Sequence, residues 1–193
     1  MADEDQITQT LTEGSAYEQA LIVTHRTFPI SLTRKIQLCL GTLLLTTVLA
    51  PLLHLSSASI RMVEGEAAAG AGVFRNDIST IVLIGVFVTT VFVAFLIRHE
   101  TRLERRKDDL TLEEAQHALR IQDMILALAT GNGLLFVLVP IALVTAGVSP
   151  DVVAWLYDAD IRLYQPSGVS VDARITSLCG GVAALGALLY WRT

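Results

Sequence analysis

The chain has 193 residues, 52% of them hydrophobic and only 17% charged, and its mean hydropathy is +0.55. Fourteen basic and nineteen acidic residues leave a formal net charge of −5. No basic patch lies outside the segments that flank apolar runs, which argues against a nucleic-acid partner. Only Lys35 and Lys107 are lysines, and this arginine-biased, acidic composition fits a halophilic source or a GC-rich genome.

Segment 1–30 is polar. Met1 to Thr12 lacks the basic and apolar regions of a cleavable signal, so the first apolar run is expected to act as an uncleaved anchor. Ser15-Ala16-Tyr17-Glu18 has the spacing of a capping box, which predicts a short amphipathic helix to about Thr24. Pro29 then separates this helix from the first apolar run. The helix is expected to lie at the membrane surface or to dock on a partner.

Four apolar runs occupy most of the remaining chain, Ile36–Leu55, Ser79–Ile97, Met124–Ala146 and Ile175–Trp191, and none contains Asp, Glu, Lys or Arg. About 20 mainly apolar residues cross a hydrocarbon core of roughly 30 Å. The sequence therefore predicts an all-α, integral membrane four-helix bundle of two transmembrane hairpins. Its membrane domain is 31–193, with spans at about 36–55, 79–97, 124–146 and 175–191. Ten of the basic residues fall in the N-terminal segment, in loop 98–123 or at Arg192, and four (Arg61, Arg75, Arg162, Arg174) fall on the other side. The positive-inside rule then puts both termini and loop 98–123 in the cytoplasm of a multi-pass cell-membrane protein.

In span one, Pro51 predicts a mild kink near the outer end, and His54 lies just beyond it. The first outer loop holds Ala67-Ala68-Ala69-Gly70-Ala71-Gly72, too plain to specify a site. Span two is bulky and apolar on every side, as a largely lipid-facing helix would be. Thr111-Leu112-Glu113-Glu114 is a second capping box. It predicts one long helix from Leu112 to about Ala146, whose wet start has a dry stripe of Leu112, Ala115 and Leu119. Span three carries Thr130-Gly131-Asn132-Gly133 and Pro140.

Ser149-Pro150-Asp151 starts a short interfacial helix in the second outer loop, with Trp155 and Tyr157 at the interface. Tyr190 and Trp191 mark the opposite interface. Span four is rich in small residues. Gly180 with Ala184, and Ala183 with Ala187, are small-xxx-small pairs that predict a helix at the bundle centre or at a subunit contact. Ile78-Ser79-Thr80 and Ile175-Thr176-Ser177 hint at a repeat between the two hairpins.

No ionisable residue is expected deep in a span, which argues against proton pumps and ion-coupled carriers. His25, His54, His99 and His117 have no metal-binding spacing, no GxSxG elbow occurs, and no cofactor or metal is expected. Cys39 and Cys179 belong at different depths and are expected to stay unbridged. Asn132 is the one strongly polar side chain well inside a span. It reads first as an interhelical clamp flanked by close-packing Gly131 and Gly133, and second as part of a pore wall with Thr130, Thr46, Thr42 and Ser177.

The expected function is non-enzymatic. The protein would act by assembly, through self-association or with other membrane subunits in the lipid bilayer. The alternative is an uncharged-pore channel or uncoupled transporter. An enzyme built on Asp158, Asp160, Arg162 and Tyr164 of the second outer loop is the remotest reading.

Overall fold

A computed structural model describes residues 15–24, 30–64, 74–106, 109–161, 164 and 170–192. His25, Pro29, the run 67–72, Lys107 and Arg162, singled out above, lie outside the described residues. The first helix, α1 (Ala16–Val23), starts at the expected capping box: Ser15 accepts from the Glu18 N–H, and the Glu18 carboxylate accepts from the Ser15 N–H. Span one is α2 (Leu32–Leu45), a 3-10 turn (Thr46–Val48) and α3 (Leu49–Glu64). Span two is α4 (Asp77–Arg105), preceded by the two-residue strand β1 (Arg75–Asn76). Span three is α5 (Leu112–Gly133), a π-helical turn (Leu134–Leu138) and α6 (Val139–Ala146). Then come α7 (Pro150–Asp158), β2 (Val171–Asp172) and span four, α8 (Ala173–Arg192).

All four spans are long and apolar enough to cross a membrane. By composition the chain is a multi-pass membrane protein. Each helix overruns its apolar sequence window, because backbone hydrogen bonding continues into charged residues wherever a capping side chain permits. Asn76 caps α4 by accepting from the Ser79 N–H, and Thr111 caps α5 by accepting from the Glu114 N–H.

The bundle has two ends. At the one holding Lys35, Glu100, Asp123 and Trp191, here the near end, Trp191 donates its Nε1–H to the Glu100 carboxylate at 3.2 Å. There α1 packs along the wet start of α5, where Tyr17, Ala20, Ala115 and Leu119 form a small apolar cluster. The predicted dry stripe is thus covered by the chain's own first helix at Ala115 and Leu119, while Leu112 stays exposed.

At the far end β1 and β2 pair antiparallel, Arg75 opposite Asp172 and Asn76 opposite Val171. The short resemblance between the starts of spans two and four lies at this junction. Thr176 donates its hydroxyl to the Ser79 carbonyl at 3.1 Å, and the Val171 N–H donates to Thr80 Oγ1 at 3.0 Å. Carbonyls at the far end of span three receive side-chain hydroxyls. Tyr164 donates to Leu143, Ser56 to Val144 and Ser59 to Val148, at 2.8, 2.8 and 2.6 Å.

One expectation about packing changes. Span two is not a mainly lipid-facing helix. Ile78, Val82, Val86, Thr89, Val93 and Leu96 are buried along one side of it, and α2, α5 and α8 all pack against it. Within its apolar run Ile84, Phe87, Val91, Ala94 and Phe95 form the outward face. Hydropathy alone cannot separate these faces, because lipid tails and packed side chains are equally apolar. Span four, rich in small residues, is the least enclosed: 22% of its apolar window is buried, against 39% in each other span.

Candidate functional site

The polar side chains of the bundle interior form clamps between helices. On span three, Asn132 donates from Nδ2 to the Gly85 carbonyl at 3.0 Å and to Thr89 Oγ1 at 2.8 Å, both on span two. The approach needs a glycine at position 85. A Cβ there would lie 2.8 Å from Phe136 Cβ and 3.1 Å from the Phe136 carbonyl oxygen. That carbonyl belongs to the π turn, where the Val139 N–H reaches back to Leu134. Pro140 has no N–H to offer the Phe136 carbonyl, and the wide turn absorbs the mismatch. Replacing Asn132 by Leu is expected to lower the unfolding free energy by about 1 kcal/mol, the usual size of such a clamp, as measured by denaturant titration in micelles.

Span one is clamped to span four where its helix breaks. Ser177 Oγ accepts from the Ala50 N–H at 3.1 Å and donates to the Thr46 carbonyl at 3.2 Å. These two backbone groups are the donor and acceptor of one helical step, so the hydroxyl is inserted into the ladder. Such insertion bends helices, and the 3-10 turn at Thr46–Val48 sits at this point. The irregularity of span one thus falls one turn before Pro51, at a position set by a residue of span four. Thr46 is fully buried, donates to the Leu43 carbonyl and lies against Gly180.

The five residues considered for a pore wall are divided among separate contacts. Asn132 faces span two, and Thr46 and Ser177 meet between spans one and four. Thr42 donates to its own helix at Leu38 and packs against Gly133, where an added Cβ would sit 3.0 Å from its methyl group. Thr130 is exposed on span three beside a cleft of about 270 Å³ between spans one and three. Among the small residues, Gly180 and Ala184 are buried, Ala183 and Ala187 pack on the core, and Gly133 meets Thr42. Gly131 has open space where a side chain would be, so it does not serve close packing within this chain.

One buried charged pair stands at the edges of the apolar runs. Lys35 and Asp123 stand immediately before the first and third apolar runs. Both fall inside the helices, and Lys35 Nζ meets Asp123 Oδ1 at 2.5 Å. Lys35 is fully buried, and the Asp123 side chain is 11% exposed. A flanking lysine usually snorkels to water; this one turns inward because a carboxylate on the neighbouring span receives it. Gln122, also buried, has an Nε2 without a partner among the described residues.

Cys39 is buried, Cys179 half-buried, and both are free thiols. Among the described residues no three His, Cys, Asp or Glu side chains are grouped to hold a metal ion. Asp158 and Asp160 are exposed at the end of α7, while Tyr164 is buried on the Leu143 carbonyl. Comparisons with protein-family models, curated proteins and solved structures return no match for the chain.

Proposed function

We propose that the chain is a non-enzymatic protein of the cell membrane, two transmembrane hairpins with both termini cytoplasmic, that works by assembly. It forms a homo-oligomer, or a membrane subunit of a larger complex, through span four. The carrying observation is the outer face of α8. Ile175, Leu178, Val182, Leu185 and Leu189 are 54–68% exposed and recur at alternating spacings of three and four. That is the seam spacing of helices that pack knobs into holes. Gly186, exposed beside Val182 and Leu189 on the helix surface, has open space over its Cα and admits a second helix closely.

The interior supports the same reading. Asn132, Ser177, Ser56, Thr176 and the Lys35–Asp123 pair all close contacts between helices of one chain. The excess of basic residues flanking the near end supports the orientation.

The test is the mass of the full chain in mild detergent. Wild type is expected as an oligomer or with a stoichiometric membrane partner, and Gly186→Trp, which blocks the seam, as a monomer. A strictly monomeric wild type without any companion overturns the reading. The channel alternative would then have to show solute flux in liposomes, lost in Asn132→Leu.

A further inference from the structure

Two open grooves run along the near-end half of span one, one on either side of Gly41. The first, about 570 Å³, lies toward span three, with Leu38, Leu45 and Leu138 as apolar wall and Arg34 at its polar end. The second, about 510 Å³, lies toward span four, with Leu44, Leu188 and Trp191 as apolar wall and Arg192 at its polar end. Gln37 and Gly41 line both. We propose that one anionic phospholipid straddles this ridge, one acyl chain in each groove and its phosphate held between Arg34 and Arg192.

The shape of the pair of grooves matches a two-chain amphiphile. They share one polar residue near their common entrance, diverge around a ridge, and are apolar beyond it. The ridge is lowest at Gly41. A Cβ on Gly41 would meet nothing within 4 Å, so no neighbour in this chain requires glycine there. An occupant crossing the ridge would.

The charges complement a phosphate. Arg34 and Arg192 are both exposed and have no acidic partner among the described residues. Lys35, the adjacent cation, is turned inward onto Asp123 and leaves the arginines to face outward. A basic residue at the membrane surface attracts an anionic headgroup by about 1 kcal/mol, or about fivefold in affinity. Gln37 adds an amide donor beside them. The site stands whether or not span four assembles, because its walls come from a single chain.

Native mass spectrometry of the full-length protein, from micelles holding equal phosphatidylglycerol and phosphatidylcholine, tests it. Wild type is expected to retain one phosphatidylglycerol per chain in preference to phosphatidylcholine. Arg34→Gln/Arg192→Gln should lose this preference by about 25-fold, and Arg34→Lys/Arg192→Lys should restore most of it. Gly41→Phe should lose bound lipid of either headgroup. Arg98→Gln, an exposed cation at the same end on span two, should change nothing. Equal retention of both lipids by wild type, an Arg98→Gln loss matching that of the double variant, or full retention in Gly41→Phe overturns the proposal.

Discussion

Replacing Lys35 by Met, with Asp123 left in place, is expected to lower the unfolding free energy by about 3–5 kcal/mol, the largest loss from any single side chain in the bundle. Removing one member of a buried ion pair leaves the other charge without water and without its partner. Asp123 is mostly buried between helices, so its carboxylate cannot recover full hydration without opening the near end. Asp123→Leu is expected to cost a similar amount for the converse reason. The double replacement Lys35→Met/Asp123→Leu should regain most of the loss, because exchanging a whole buried pair for apolar groups is often close to neutral. Denaturant titration of the four proteins in micelles gives the coupling energy directly. Additive single losses would show that the pair does not act as a unit, and that each side chain matters through other contacts.

This pair also shows what the sequence could and could not reveal. Lys35 and Asp123 are visible as boundary residues of apolar runs, and boundary charges are ordinarily solvated. Their burial comes from a sequence separation of 88 residues, across which the chain returns span three beside span one, and no local pattern encodes it. The four spans are legible because a run of about 20 apolar residues has one dominant use. The capping boxes at Ser15 and Thr111 are legible because the cap is a contact between residues three apart. Asn132 is legible as a clamp by its isolation among apolar residues, though its partners Gly85 and Thr89 are not.

What escapes the sequence depends on which helix faces which. The two sides of span two look alike in sequence because its buried and outward faces are equally apolar, and Gly85, the one signal of close approach, is a single residue in a bulky run. In span one the local helix breaker is Pro51, yet the break falls where Ser177, from another helix, competes for the backbone of Thr46 and Ala50. Small residues on span four suggest the bundle centre or a subunit contact, without saying which side packs where. They bring one side of the helix tightly onto span one, and the opposite side keeps the large exposed residues of the seam.

That tight side carries the second large expectation. A Cβ added at Gly180 would lie 1.8 Å from Thr46 Oγ1, and 3.1 Å from both Thr46 Cβ and the Leu43 carbonyl oxygen. The hydroxyl is tied to that carbonyl at 2.7 Å, so swinging it away sacrifices a buried hydrogen bond. The carbonyl is backbone and cannot swing at all. Gly180→Ala is therefore expected to cost about 1–3 kcal/mol, as overpacking of a close-packed interior does, and Gly180→Val more, by levering span four away from span one. Removing the nearest obstacle gives a partial remedy: Thr46→Ala/Gly180→Ala should be more stable than Gly180→Ala alone. It should not reach wild type, since the Leu43 carbonyl still stands in the way. Gly181→Ala, on the same helix with its nearest neighbour at an ordinary 3.5 Å from Thr47, should be close to neutral. Equal losses at Gly180 and Gly181 would mean that glycine matters there for helix flexibility; a loss confined to Gly180 identifies the contact with Thr46 as the fixed point on which span four is set. Because Ser177 lies one turn away on the same face, a displaced span four would also withdraw its hydroxyl from the Ala50 N–H. The Ala50 N–H would then lose its interhelical acceptor, read as faster amide exchange at Ala50 in Gly180→Val than in wild type.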